Sequence, residues 1–467
     1  MTTCGTDSSL PPQSEQTFPN EKFQVSVVIL LCSIVFFSVL NGTMFNVAVP
    51  DISRDYNLTA ADVSWVVTGY IVVFALAAVT YGKLADIYPI RRLLTIGLLL
   101  FNLGSLLGYF TDNYAQLLIG RLVQASGGGA IPAMSMLVAT RYFPAARRGR
   151  VLGAVASTVA FAAGVGPVVG GYIAGQWHWR YLFLISLATL FALYAARKLL
   201  PQETTRDERF DYSGGLLLGG GVTSLLLFVT KGVWFALPLS LLLFFLFNRH
   251  IRRINNPFIS PELLRNRKFR QGLISTFLGV STVFGFFFSI PLLLREVHAV
   301  STAHIGLVIF PGAITAALLG VVGGRLADRW GSVPIVHAGF GLLLFGYLLL
   351  AGLLSYGALP IMLLLIICYS GFAFVQSALA KTVSMTLPHR QAGVGMGLYN
   401  LVFFTSGAFG TSFVGTLLDR MDRSTFFSEY GPAVSYSGLF LAAAAAVLLA
   451  TLLFWRAFGW RGEKGSP

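Results

Sequence analysis

Charge is what this chain has least of. Charged residues make up 11% of its 467 positions, and the 19 acidic ones are outnumbered by 33 lysines and arginines. Soluble domains run near about 25% charged. With 55% hydrophobic residues gathered in long uncharged runs, a water-exposed fold is excluded, because soluble helices keep a polar face and these runs are apolar all round. Cysteine is nearly absent: Cys4, Cys32 and Cys368 have neither disulfide nor metal-ligand spacing. There is no phosphate-binding loop, no metal-ligand cluster and no nucleophile–base set, so an enzyme is not expected. The longest polar segment between runs, 249–271, is too short for a nucleotide-hydrolysing domain. No cofactor is expected, and an ion gradient or the solute's own gradient must supply the energy.

What is present suits lipid. Apolar runs at roughly 25–48, 65–84, 93–110, 117–140, 151–174, 180–199, 212–230, 233–248, 272–293, 305–323, 334–354, 360–380, 393–417 and 434–455 predict fourteen spans. They must be helices, since a segment in hydrocarbon has to satisfy its own backbone groups. The 50 glycines suit helices that approach one another closely. The fold class is therefore all-α integral membrane. The first 22 residues, rich in Ser, Thr, Pro and Gln, read as a disordered tail rather than a signal peptide.

The formal charge of +14 would suggest nucleic acid in a soluble protein. Its distribution points to topology instead, and no nucleic acid partner is expected. With the amino terminus inside, cytoplasmic segments hold 26 of the 33 Lys and Arg and outer loops hold six, leaving Arg121 within a span. That asymmetry predicts two cytoplasmic termini. The segment 249–271 carries seven basic residues and is expected to lie along the anionic inner surface.

The chain also repeats itself. Gly82-Lys83-Leu84-Ala85-Asp86 follows the second span and Gly324-Arg325-Leu326-Ala327-Asp328 the tenth, each with basic residues close by (Arg91 and Arg92; Arg329). Matching loops in two halves are what repeat-built transporters show. The resulting parse is a tail at 1–22, a six-helix bundle at 23–200, two inserted helices and a basic loop at 201–271, a second six-helix bundle at 272–455, and a tail at 456–467.

Four motifs in order carry a resemblance: Leu40 to Pro50 ending span one, Gly82 to Arg92 in the loop, Arg121-Leu122-Val123-Gln124 in span four, and Gly164 to Gly171 in span five. At these positions the chain resembles the major facilitator superfamily, and within it the fourteen-span drug/proton antiporters. Phe37 to Asn41, and Arg141 to Pro144 before Arg148-Gly149, resemble Gram-positive tetracycline efflux proteins. There are departures. Asn41 stands where fourteen-span antiporters often carry Asp, and Gly42 and Gly407 where the tetracycline group carries Glu. Pro89 and Ala125 replace the usual glycines. The resemblance implies export across a bacterial cell membrane by alternating access between two bundles, with a small amphipathic substrate, protons and membrane lipids as partners and a monomer as the unit. A lipid or lipid-precursor flippase of the same fold is the rival expectation.

No acidic residue lies near the middle of a predicted span; Asp51 is at an outer edge, and Asp86 and Asp328 are at inner edges. A cationic substrate would want a buried carboxylate, so a neutral, zwitterionic or anionic amphiphile is expected. Arg121 has two readings: a cation that contacts substrate or tunes a nearby proton site, or a side chain bonded to backbone carbonyls that ties span four to span one. Gln124 lies one turn on. Asn41, Asn46, Tyr369, Gln376 and Asn400 are candidates for a polar cavity lining or for helix contacts, with Phe284, Phe286 and Phe288 adding aromatic surface. His337, at the inner start of span eleven, is read as an interfacial histidine or a titrating one. The resemblance implies a gating latch at Asp86, Arg91, Arg92, Arg325 and Asp328. Gly166, Pro167, Gly170 and Gly171 supply small-residue contacts and a kink point.

Overall fold

The structure, a computed structural model, describes residues 21–85, 87–143, 145–201, 211–254, 265–387, 392–422 and 432–460. Residues 1–20 of the expected disordered tail, Asp86 and the side chain of Asp328 lie outside the described residues, as does much of the basic loop; Glu21 and Lys22, assigned to that tail, already belong to the first helix.

All described elements are helical. They are α1 (Glu21–Asp55), α2 (Ala60–Leu84), α3 (Ile90–Tyr109), α4 (Tyr114–Gly128), α5 (Ala130–Tyr142) and α6 (Ala145–Gln176). A short 3-10 turn precedes α7 (Leu182–Ser186) and α8 (Thr189–Leu199). Then come α9 (Tyr212–Lys231), α10 (Ala236–Ile251), α11 (Arg267–Glu296), α12 (Thr302–Arg329), α13 (Ser332–Leu353), α14 (Ala358–Ser384), α15 (Ala392–Asp422) and α16 (Pro432–Phe458). Twelve helical segments are long and apolar enough to cross a bilayer, with α4–α5 and the stretch through α7–α8 each counted once. The 32-residue α6 and the shorter α10 accompany them. At 16 residues α10 rises about 24 Å, less than the ~30 Å hydrocarbon core.

Local chemistry sets the helix ends. Thr59, Asn113, Asp211 and Asn266 accept from the first-turn N–H groups of α2, α4, α9 and α11. The break between α4 and α5 falls at Gly129, within Gly127-Gly128-Gly129 and just before Pro132, which has no N–H to give the Gly128 carbonyl.

Elements α1 to α8 pack mainly among themselves, as do α11 to α16. The two groups meet along two seams, α6 against α12 and α2 against α15. The pair α9–α10 leans on α2 and α15, with Val222 and Leu226 beside Val72 and Ala408. One end of the molecule carries the repeated connections after α2 and α12; we term it the basic face.

Candidate functional site

Both seams are sealed at the face away from the repeats. At the start of α2, Ala60 and Ala61 donate their N–H groups to the Asp419 carboxylate of α15 at 2.9 and 3.0 Å, while Asp62 donates to its own cap, Thr59. One half thereby supplies the helix-start acceptor of the other. Beside the second seam a comparable bond joins the halves: the Thr302 hydroxyl, at the start of α12, donates to Asp51 of α1 at 2.6 Å, with Arg54 and Arg295 flanking. Further in, Thr68 donates to the Ala408 carbonyl at 3.3 Å and accepts from Ser412 at 3.2 Å.

Small residues make the contact possible. A Cβ at Gly415 would sit 2.8 Å from the Ala60 carbonyl oxygen, and one at Gly171 2.8 Å from that of Thr302. The motif in α6 has two faces. Gly166 and Gly170 lie against Thr43 and Met44 of α1, while Pro167, Gly171 and Gly175 meet Gly306, Thr302 and Ala303 of α12.

Towards the basic face the seams part. Along α15 the α2-facing positions run 419, 415, 412, 408 and 404, ending where Phe404 meets Phe74 with ring centroids 5.4 Å apart. Asn400, one turn further, is exposed. On the other seam Gly164 faces Ile314, while further along α12 Val321 is exposed and Gly320 and Gly324 have open space. The core divides in the same way. One apolar cluster runs through both halves, whereas the basic-face portions of α1, α3, α5 and α8 form a separate one.

Arg121 is 1% exposed. It donates to the Val66 carbonyl (3.3 Å), Asn41 Oδ1 (2.9 Å) and Gln124 Oε1 (2.8 Å), and lies over the Phe45 and Tyr70 rings at 4.2 and 4.0 Å. Asn41 donates on to Ser186, and Gln124 to Ser105. This set joins α1, α2, α3, α4 and α7 inside one half through neutral acceptors and two ring faces, with no carboxylate in it.

The other sequence candidates are not gathered there. Asn46 is half-buried, on the face of α1 where Gly42 looks into open space; Tyr369 is half-buried against Phe287; Gln376 and Asn400 are exposed. The expected row Phe284, Phe286, Phe288 follows a spacing of two, which a helix does not place on one side. Phe286 and Phe288 are buried in the core, and Phe284 and Phe287, three apart, form the half-buried pair. His337 lies at the start of α13, buried against Phe454 and Trp460, with Nδ1 at 3.1 Å from the Val333 carbonyl.

At the basic face, Arg91 is half-buried, Arg92 lies over the Tyr88 ring at 5.5 Å, and Arg325 is exposed. A matched pair of capping bonds accompanies them. Arg141 donates to the Ala85 carbonyl at 3.0 Å, and Lys381 donates to the carbonyl of Ala327, the same position in the second copy of the repeat, at 3.2 Å. Asp419, Thr302, Phe74, Phe404 and Phe287 were absent from the sequence candidates. Only Phe287 had a readable signal, its spacing from Phe284.

A twofold arrangement of helices, with matching carboxylate bonds at one face and matching capped loops at the other, fits one architecture in particular. The family model described as Major Facilitator Superfamily matches residues 31–411. The chain belongs to the Major Facilitator Superfamily. Its members are transporters rather than enzymes, and this one is a multi-pass membrane protein. Over 438 residues it is 27% identical to the riboflavin transporter RibZ of Clostridioides difficile, covering 91% of this chain and 92% of that protein. It is 29% identical over 436 residues to the multidrug resistance protein B homolog of Mycobacterium tuberculosis, covering 88% and 80%. A bacterial homolog of the human lysosomal transporter Spinster, solved inward-facing and occupied, shares the fold with a TM-score of 0.69 at 15% identity, covering 96% of this chain and 100% of that one.

Proposed function

We propose that this facilitator-superfamily member is a proton-coupled exporter of amphipathic, drug-like small molecules. It works as a monomer with fourteen spans, α6 and α10 included, and with both termini in the cytoplasm. One observation carries the reading: the seams are hydrogen-bonded at one face and parted at the other. A binding cleft open on one side and closed by reversible polar bonds on the other is the geometry that rigid-body rocking needs. The excess of Lys and Arg assigns the basic face to the cytoplasm, so the closed face is external. The rocking units are 23–200 and 272–455, with α9 and α10 riding on one seam.

Asp51 and Asp419 hold the halves together at the closed face, where a charged acceptor makes the stronger hydrogen bond, so these contacts must break for that face to open. The relatives' names, a riboflavin transporter and a multidrug resistance protein, support a small organic substrate.

The test is expression in a pump-deficient bacterium screened against toxic amphiphiles. The expected result is resistance that disappears when a protonophore collapses the gradient. Resistance that persists under the protonophore overturns proton coupling. Unchanged resistance together with an altered leaflet distribution of a fluorescent lipid overturns small-molecule export in favour of flipping.

A further inference from the structure

The two halves share a continuous line of aromatic rings where the seam begins to part. It starts on α2, where Tyr70 stacks on Phe74 at 5.9 Å, and crosses to α15 through the contact with Phe404 at 5.4 Å. From there it runs through Phe403 (5.5 Å) and Phe284 (5.9 Å) to Phe287 (6.1 Å), which meets Tyr369 at 4.8 Å and Phe372 at 5.2 Å. Phe74, Phe404, Phe284, Phe287, Tyr369 and Phe372 are only half-buried, so part of each ring remains available. Two hydroxyls are buried without a hydrogen-bond partner, that of Tyr70 on the line and that of Tyr399, whose ring lies 6.3 Å from Phe403. A buried unpaired hydroxyl is costly unless something else completes it.

Bare ring faces would ordinarily suit a cation. Here the line begins at the Arg121 guanidinium, 4.0 Å from the Tyr70 ring, and no described acidic residue lies in the middle of a span to offset a second positive charge. A cation would meet repulsion with no counter-ion in a low-dielectric site. We infer that this belt is the seat of a flat, uncharged, fused-ring compound, stacked on the rings from both halves, with acceptor atoms at its edge taking the free Tyr70 and Tyr399 hydroxyls. The inference rests on the export reading and names the substrate class of that site. Because Phe74 and Phe404 come from opposite halves, a ligand held there senses the rocking directly.

The experiment compares two fluorescent tricyclic probes of nearly the same shape: acridone, uncharged, and 9-aminoacridine, a cation at neutral pH. Binding to the purified full-length chain in nanodiscs is read by fluorescence anisotropy. Acridone is expected to bind at least roughly ten-fold more tightly. Phe74→Leu and Phe287→Leu, which keep bulk but lose the ring face, are expected to weaken it about three- to ten-fold. Phe74→Trp keeps the affinity, and Phe191→Leu, on a ring that is 85% exposed on α8, changes nothing. Equal or tighter binding of 9-aminoacridine overturns the inference, as do Phe74→Leu and Phe74→Trp variants that bind alike. Proteoliposomes with an imposed pH gradient separate the two readings. Acridone that binds but is not driven across sustains the belt and sinks proton-coupled export; both probes driven equally sustain export and sink the belt.

Discussion

Arg121 shows how a charge is kept inside a membrane. Its guanidinium has three neutral acceptors and two aromatic rings beside it, which together replace much of its water. Arg121→Ala leaves Asn41 and Gln124 with buried oxygens unpaired, each costing about 1–3 kcal/mol. We expect that variant to reach the membrane, melt at lower temperature and lose transport; normal transport in a resistance assay refutes the role. Arg121→Lys keeps the charge but not the planar fork, and a roughly ten-fold loss of transport is expected.

Helix contacts decide how closely the halves approach. Gly415 leaves no room for a side chain beside the Ala60 carbonyl, and Gly171 none beside Thr302. Overpacking such a site costs about 1–3 kcal/mol, here charged only to the state closed at this face. Gly415→Val is therefore expected to favour opening of that face. With the three native cysteines replaced, a Ser412→Cys probe on the buried seam would be labelled faster by an impermeant thiol reagent in the Gly415→Val background; an unchanged rate rejects the argument. The inserted pair is held less firmly. Lys231 of α9 pairs with Asp62 of α2, but Lys231 is 46% exposed and Asp62 27%. Exposed pairs contribute under about 1 kcal/mol. Lys231→Glu is accordingly expected to shift the melting temperature by only a few degrees, and a collapse of stability in a thermal scan would show the pair to be essential.

For the whole molecule, the question is which face opens and what biases it. Asp419 and Asp51 are placed alike, each joining one half to the start of the other half's second span. Asp419→Asn retains an acceptor but loses the charge that favours a helix amino terminus, worth about 0.3–1 kcal/mol. That corresponds to a shift of roughly two- to five-fold towards the state open at this face. Spin-label distances across the α2–α15 seam would measure it. In the double variant with Asp51→Asn the shift is expected to exceed that of Asp419→Asn alone; an equal population would remove Asp51 from the contacts that hold this face closed.

The sequence by itself determined the solvent, the secondary structure and the repeat. Long uncharged runs can only be helices in lipid, and Gly82 to Asp86 with Gly324 to Asp328 announced two equivalent halves. It also singled out Arg121, because a charge within an apolar run is visible as an exception. Only the tertiary structure decided what Arg121 touches, that the α6 glycines serve two helices, that Asp419 caps α2 across 359 residues of chain, and that Phe287 rather than Phe288 joins the belt. The reason is physical. Hydropathy reports which residues leave water, a property each residue carries alone. Which faces meet depends on how helices far apart in the chain turn against one another, and no run of neighbours records that.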